Sequence, residues 1–241
     1  TAIANHIDAD KVILWKDVPG IYSINPRWGI RSETIPDLNY QEAIELSLMD
    51  TPVLHPSTIE PLIEPNIQLE VRHLYHSNQD EKTVIGPELP EKELKAVGCL
   101  PNVISLGFSH HHIDSHQRQL VKILGELAKN EVHWWGLESR LGDSRLILSQ
   151  HDMHRASTIF EQFNIDANHH QHLGLLSLIG CKEADVEAIN TLFEATEFEL
   201  SWLNQTSSAA RVAIDGEDLS QALQLLHALI QEQNVSVAQQ S

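Results

Sequence analysis

Three side chains capable of binding a ligand follow the first apolar run of the chain. That run, KVILW at residues 11–15, is typical of a buried strand, and a Pro-Gly pair soon after it marks a turn. Asp17 lies at the end of the strand, where open α/β sheets bind ligands. Tyr22 offers an aromatic ring, and Arg27 offers a guanidinium that can pair with phosphate oxygens through two hydrogen bonds. The simpler alternative is three turn residues with a surface ion pair.

Two groups of histidines raise the question of a metal site. Zinc sites need ligands at fixed spacing on a rigid scaffold, with partners that orient each ring. Both groups fall in predicted loops and match no zinc spacing, so we expect solvated side chains and no bound metal. The groups are His110, His111, His112 and His116 with Asp114, and His169, His170 and His172.

The first third of the chain alternates strand-like and helix-like segments, which indicates part of an α/β domain. After it, prolines, glycines and charges between Ser77 and Glu93 predict a linker, with a domain boundary near residue 90. The predicted elements are strand 11–15, a helix after Asn39, a helix over Ser57 to Ile63 and a strand over Ile67 to Leu74.

The rest of the chain contains an internal repeat of about 70 residues, each copy reading β-α-β-β-α. Such units form ferredoxin-like sandwiches, so we expect two small α+β domains at 91–172 and 173–241. The first copy comprises strand 103–108, helix 117–130, strands 132–138 and 144–150, and helix 153–163. The second comprises strand 173–180, helix 183–197, strands 198–204 and 209–215, and helix 219–233, with a possible strand at 234–239.

Composition narrows the class of partner. Acidic residues outnumber basic ones by 34 to 16, giving a formal charge of −18. Such a surface repels phosphate backbones and anionic lipid, so we expect no nucleic acid and no membrane as partners. The chain has no apolar run near the roughly 20 residues that span a bilayer, and we expect no export signal. Its two cysteines, Cys99 and Cys181, suit a reducing compartment as buried thiols, so we expect a cytoplasmic protein.

Two blocks resemble the aspartate kinase family. WKDVPGIYSINPR (15–27) is similar to the nucleotide-site segment W-T/S-D-V-x-G-V/I-Y-x-x-D-P-R, and NYQEAIELS to TPVLHPSTIEPLIEPNI (39–67) is similar to the next block. The resemblance implies an α/β, incomplete C-terminal part of an amino-acid-kinase domain at 1–90, followed by two tandem ACT-type ferredoxin-like domains. Pro52, where most members have lysine, and the segment HLGLLSLIG resemble the bifunctional aspartokinase II–homoserine dehydrogenase II type most.

The resemblance implies a phosphotransferase that uses ATP with Mg²⁺ to convert L-aspartate to 4-phospho-L-aspartate, the entry to methionine, threonine and lysine. NADP would serve only a dehydrogenase half, which this sequence lacks. By resemblance the ATP contacts are Lys16, Asp17, Tyr22, Arg27, Pro52 and Val53. Lys16 stands where a small hydroxyl residue is usual and Asn25 where the family has aspartate, so the nucleotide geometry departs from the family's pattern.

The repeats resemble domains that bind amino-acid effectors and assemble subunits into a dimer or tetramer. The run Asn204, Gln205, Thr206 and Ser207 is similar to the family's Q-S/G-S-S-E segment and is our candidate effector contact. In the first repeat, Trp134 and Trp135 stand where effector-sensitive members have small or acidic residues, and we expect them to fill the effector pocket of that repeat. Degenerate repeats kept for assembly therefore fit the residues best. The alternative is a stand-alone regulatory subunit that binds an aspartate-family amino acid.

Aspartate kinases also carry a K-F-G-G motif and a G-R-G-G-S-D loop, and neither occurs in this sequence. We therefore predict that the purified chain forms no aspartyl phosphate. The check is a hydroxamate assay with ATP, Mg²⁺ and aspartate, and ATP-dependent hydroxamate above a no-enzyme blank would contradict it.

Overall fold

The computed structural model describes residues 1–49, 53–75, 81–87, 94–109 and 112–238. Within them the strands form one four-stranded and one six-stranded sheet. No helix in the described part is long and apolar enough to cross a bilayer. The first region comprises α1 (Ala2–His6), β1 (Lys11–Lys16), a 3₁₀ turn (Pro26–Trp28), β2 (Asp37–Asn39), α2 (Tyr40–Leu48), α3 (Pro56–Ile63), β3 (Gln68–His73) and β4 (Lys82–Gly86).

The smaller sheet has the strand order β1-β3-β4-β2. β1 runs parallel to β3 and β2 parallel to β4, while β3 and β4 are antiparallel. The helix α2 begins with a capping box, in which Asn39 and Glu42 each accept the other's backbone N–H at 2.8 Å. Alternate strand residues pack under the helices, as predicted for an α/β unit, and this core includes Leu38, Leu69, Val71, Ile85, Ile59 and Leu62.

The predicted linker is in part a strand. β4 lies inside the stretch from Ser77 to Glu93, and it pairs with both β2 and β3. Thr83 and Ile85 of β4 are fully buried. The prediction failed because TVIG is short and is flanked by charges, prolines and glycine, so its alternation was hidden.

The second region contains the predicted repeat. Its elements are β5 (Ala96–Ser109), α4 (Ile113–Lys129), β6 (Trp134–Arg140), β7 (Asp143–Ser149), α5 (Met153–Gln162), β8 (Asn168–Ile179), α6 (Glu183–Glu194), β9 (Ser201–Gln205), β10 (Ala209–Asp215) and α7 (Leu219–Ala238). The strand proposed for 234–239 is wrong as far as it is described, because residues 234–238 continue α7.

The two copies share their first strands. The sheet order is β6-β7-β5-β8-β10-β9, so β5 and β8 lie side by side at its centre and run antiparallel. The half of β5 that pairs with β7 begins at Val103, whereas residues 96–100 pair only with β8. Conversely, residues 168–170 of β8 pair with β5 beside the first copy. Each copy therefore receives its fourth strand from an extension of the central pair, and the predicted boundary at 172/173 falls inside β8.

The sheet face opposite α4–α7 is partly enclosed. The edge strands β6 and β9 approach each other across it, since a methyl group built on Gly136 would lie 3.1 Å from Leu203 Cδ1. Met49, next to α2, packs on this face with three buried sheet residues, Val103, Ile147 and Leu175. The smaller region therefore joins the larger sheet through the C-terminal end of α2.

One ion pair ties these parts together. The Arg211 guanidinium on β10 donates to both carboxylate oxygens of Glu45 on α2, at 2.6 and 2.7 Å. The same guanidinium donates to the Trp135 carbonyl on β6 at 2.6 Å, and Ser177 of β8 donates to Glu45 at 2.6 Å. The Arg211 and Glu45 side chains are only 16% and 17% exposed, so this network links four elements, β10, α2, β6 and β8, largely away from bulk water.

Replacing Arg211 tests the network. We predict that Arg211→Ala lowers the free energy of unfolding by about 2 kcal/mol, because it leaves the half-buried Glu45 carboxylate without its cation. Urea denaturation followed by tryptophan fluorescence measures the change. Arg118→Ala, which removes an exposed arginine of α4, is the matched control. Equal stability of the two variants would contradict the prediction.

Candidate functional site

Close packing against Thr34 and Thr83 holds the turn after β1 in one conformation. Gly20 is buried, and a methyl group there would lie 2.5 Å from both Thr34 Cγ2 and Thr83 Oγ1. The Thr83 hydroxyl accepts the Ile21 N–H at 2.8 Å and donates to the Ile35 carbonyl at 2.6 Å. Only glycine fits at position 20, and one buried hydroxyl satisfies both sides of the turn.

This rigid turn places two of the predicted nucleotide contacts near each other. Asp17 is exposed just beyond β1, and Tyr22 is half-buried and bridges to Thr34. The pKa of the Tyr22 phenol is raised by burial and by the negative charges of Glu81 and Asp17. The phenol therefore stays protonated at neutral pH and can donate a hydrogen bond.

Arg27 and Lys16 occupy opposite ends of this segment. Arg27 lies in the exposed 3₁₀ turn, where its backbone N–H donates to the Asn25 side chain at 3.0 Å. Its guanidinium forms no ion pair within the described residues. Lys16 is the last residue of β1, and its carbonyl accepts the Leu74 N–H at 2.8 Å. Asn25 thus acts as the cap of the turn in place of the family's aspartate.

Of the two nucleotide contacts predicted in the second block, residues 39–67, only Val53 can be located in the structure. Val53 is half-buried and packs against the core of the smaller region. Pro52 lies outside the described residues. His55 caps the start of α3 by accepting the Ser57 N–H at 3.2 Å, a structural role.

Behind the turn, Ser23 connects the segment to the repeats. Its carbonyl accepts the Val97 N–H of β5 at 2.9 Å, and its hydroxyl is hydrogen-bonded to His227 Nε2 of α7 at 2.9 Å. His227 is 3% exposed, and burial lowers its pKa more than the charge of Glu33 raises it. Sequence reasoning missed this pair, although a histidine on the apolar face of the 219–233 helix was a usable signal.

Lys95 is a second residue that sequence reasoning missed. Its side chain is 6% exposed, and its ammonium lies 2.8 Å from Glu42 and 3.5 Å from Asp37. Lys95 and Asp37 border a cavity of about 200 Å³ together with Ser23 and Glu33. Lys95 was overlooked because it ends a charge-rich stretch that is typical of exposed linkers.

Glu70 forms a third buried polar cluster, on β3. It pairs with Lys11 at 3.3 Å, Arg72 at 2.5 Å and Lys82 at 3.5 Å. Burial alone would raise the pKa of this carboxyl, but the hydrogen bonds from Arg72 and Lys11 and the nearby positive charges outweigh it. The pKa therefore lies below its ordinary value, and the carboxylate stays ionised.

The predicted effector residues mainly build a turn. Asn204 and Gln205 are exposed on β9, and Thr206 and Ser207 follow it. The Thr206 hydroxyl accepts the backbone N–H groups of Ser208 at 3.3 Å and Ala209 at 3.1 Å. The structure does not bring this run to the candidate nucleotide turn.

The two tryptophans of β6 differ in their surroundings. Trp135 packs against the apolar cluster between the strands, whereas Trp134 is 36% exposed. That both tryptophans fill the effector pocket of the first repeat stays a prediction. The packing of Trp135 is compatible with it.

The histidines do not form one kind of site. His116 was expected in a solvated loop, but it is buried in α4, stacked on Phe108 and hydrogen-bonded to Ser144 at 2.8 Å. His110 and His111 lie outside the described residues. Among the described residues, no group of three histidines, cysteines or acids could hold a metal ion.

Both cysteines are buried, as the sequence analysis expected. Burial, together with the nearby Asp185 carboxylate, raises the pKa of the Cys181 thiol to about 12. This thiol is therefore protonated and unreactive at neutral pH.

His227 predicts a pH-dependent stability. Its folded pKa lies below the unfolded value near 6.5, so the unfolded state binds the extra proton first as the pH falls. Stability from this site is full above pH 6.5 and is lost as the pH falls towards the folded pKa. We expect the loss of unfolding free energy between pH 7.5 and 5.5 to be smaller in His227→Gln than in the parent chain. Urea titrations at both pH values measure it, with exposed His154→Gln as control. An equal loss in all three proteins would contradict it.

Comparisons with known proteins agree with this architecture. Residues 1–73 match the amino acid kinase family. A bifunctional aspartokinase/homoserine dehydrogenase of Buchnera aphidicola is 22% identical over 243 residues, which is 93% of this chain and 30% of that protein. The aspartate kinase of Clostridium acetobutylicum superposes with a TM-score of 0.82 at 20% identity, over 94% of this chain and 55% of that one. Escherichia coli aspartokinase III, in complex with aspartate and ADP, gives 0.78 at 21%, over 94% and 53%.

These matches cover nearly all of this chain but only part of each relative. The chain spans 30% of the length of the bifunctional relative and about half of each aspartate kinase structure. The resemblance to an aspartate kinase region, predicted from the sequence, is thereby confirmed: residues 1–73 match the amino acid kinase family, and the chain as a whole shares its fold with part of the aspartate kinases.

Proposed function

We propose that the chain is part of an aspartate kinase, an enzyme that transfers the γ-phosphoryl group of ATP to the β-carboxylate of L-aspartate. In this proposal residues 1–90 contribute one side of the nucleotide site. The two repeats, 91–172 and 173–241, are ACT-type domains that assemble subunits into a dimer or tetramer and regulate them. The observation that carries the proposal is the segment after β1, in which a rigid turn at Gly20 is followed by an exposed 3₁₀ turn and both Asp17 and Arg27 are exposed to solvent.

The donor set of the turn fits a nucleotide held at its phosphates. Phosphoryl transfer relies mostly on positioning and on neutralising charge. The Arg27 guanidinium, which has no ion pair in the described part of the chain, can bind phosphate oxygens through two hydrogen bonds. Asp17 and Glu81 place negative charge near Tyr22, so phosphates would lie on the Arg27 side.

The other residues would orient the nucleotide and its cation. The exposed Asp17 carboxylate is a hard oxygen ligand suited to a hydrated Mg²⁺. Tyr22 would lie against the purine or ribose and keep its proton, because its pKa is raised. Lys16 adds a cation at the end of β1. When bound, ATP with Mg²⁺ supplies the transferable phosphoryl group.

The parent enzyme in this proposal is bifunctional. The Buchnera aphidicola relative is a bifunctional aspartokinase/homoserine dehydrogenase, and the sequence resembles the methionine-branch type most. A dehydrogenase half would bind NADP outside this chain, and we propose a cytoplasmic location for the whole enzyme. The E. coli relative was solved with aspartate and ADP, which supports these small molecules as ligands.

Nucleotide binding tests the proposal directly. We predict saturable binding of a fluorescent ADP analogue to the chain in the presence of Mg²⁺, measured by fluorescence anisotropy. Arg27→Ala should weaken it about tenfold, because a charge-assisted hydrogen bond contributes about 1.5–3 kcal/mol. The substituted side chain is exposed, so folding should not change.

Arg118→Ala serves as the matched control, since it removes an exposed arginine of α4 far along the chain from the turn. It should leave the affinity unchanged. No saturable binding to folded protein, or equal affinities for the parent and Arg27→Ala, would overturn the proposed nucleotide role.

A further inference from the structure

A patch of exposed apolar side chains lies at the edge of the smaller sheet, beside the candidate nucleotide contacts. β1 and β3 are parallel and end at this edge, where the Leu74 N–H donates to the Lys16 carbonyl at 2.8 Å. Eight large apolar side chains are exposed in the described part of the chain, and three of them, Trp15, Leu74 and Tyr75, are at this edge. Exposed apolar groups that cluster in this way mark a binding surface.

The same edge carries the groups that surround Tyr22. The negative charges of Asp17 and Glu81 both act on the Tyr22 phenol, so the three side chains are near one another. Asp17 directly follows β1, and Glu81 directly precedes β4, which runs antiparallel to β3 and so begins at the edge where β3 ends. Tyr75, two residues beyond β3, therefore shares one end of the sheet with these predicted nucleotide contacts.

The ring of Tyr75 is held in place by His73, the last residue of β3. The Tyr75 N–H donates to His73 Nδ1 at 2.9 Å, which fixes the bend of the chain after the strand. The two rings also contact each other at a steep angle of 65°, with their centroids 6.3 Å apart. Because its backbone and its ring each have a fixed contact, Tyr75 presents an aromatic face to solvent with little freedom left to lose when a ligand binds.

A nucleobase is the part of a nucleotide that fits such a face, because every base has a flat π surface that stacks on aromatic side chains. The charges of Asp17 and Glu81 repel phosphates from the end of the sheet, which leaves them on the side of Arg27. The base is at the opposite end of the nucleotide. With the ribose against Tyr22, the base reaches the end of β3 and the exposed ring of Tyr75.

We propose that Tyr75 stacks on the base of the bound nucleotide and makes the site prefer purine over pyrimidine nucleotides, with His73 as the residue that positions the Tyr75 ring. A purine offers two fused rings to the phenol and a pyrimidine only one, so the contact favours the purine. The inference rests on the nucleotide role proposed for the segment after β1. It adds a contact from the end of β3, which lies outside both sequence blocks that resemble the kinase family.

Calorimetric titration of the whole chain with ADP and with CDP, each in the presence of Mg²⁺, tests the proposal. We expect the parent chain to bind ADP about fivefold more tightly than CDP, because the larger base stacks over more of the ring. Tyr75→Ala should weaken ADP binding about tenfold and bring the two affinities within about twofold of each other. Tyr75→Phe keeps the aromatic ring and should bind both nucleotides as the parent does.

Leu141→Ala is the matched control, because Leu141 is 79% exposed in the turn between β6 and β7, against 83% for Tyr75. It should leave both affinities unchanged. If the parent binds ADP and Tyr75→Ala binds it equally well, or if Tyr75→Phe is as weak as Tyr75→Ala, the stacking contact is wrong and the nucleotide role stands. If folded parent protein does not bind ADP at all, both proposals are wrong. A change in sedimentation of Tyr75→Ala without a change in affinity would assign the patch to a protein contact instead.

Discussion

The antiparallel pairing of β5 with β8 is the contact on which the larger sheet depends, because each strand belongs to both repeats. Residues 96–100 complete the second copy, and residues 168–170 complete the first. Backbone hydrogen bonds in a sheet leave few buried polar groups unpaired, so neither copy satisfies its central strand alone. The four helices α4 to α7 then cover one face, and Met49, next to α2, packs on the other face.

The smaller region is joined to this sheet by polar contacts as well as by apolar packing. Ser23 reaches both β5 and α7, and Arg211 connects α2 with β6. The strand that carries Arg211, β10, pairs with β8 of the central pair. The segment that carries the candidate nucleotide contacts and the two repeats are thus attached to one continuous set of strands.

Much of this architecture was predictable from the sequence, because amphipathic helices and apolar strands have a strong period. The β-α-β-β-α repeat appeared in the expected order, and β10 was predicted to the residue. Strand segments that contain or adjoin glycine and proline were not predictable. β4 was predicted to be part of a linker. The first half of β5 was missed because residues 96–102 contain a glycine, a proline and an asparagine. The turn that the Pro-Gly pair predicted after β1 is present, and Asp17 and Tyr22 lie on either side of it. Ser23 and Lys95 were missed, because their roles come from contacts far apart in sequence that no local pattern encodes.

The shared central strands have a consequence for how this protein can be dissected or recombined. Residues 96–100, which complete the second copy, precede the first copy in the chain. A single cut therefore cannot separate the two copies. A gene cut at 172/173 would split β8 and leave the remaining strand without its neighbour, an open edge that favours aggregation. A modular graft would instead have to carry 96–100 with the second copy, in the manner of a circular permutation. Recombination that preserves the fold must therefore transfer the two repeats together.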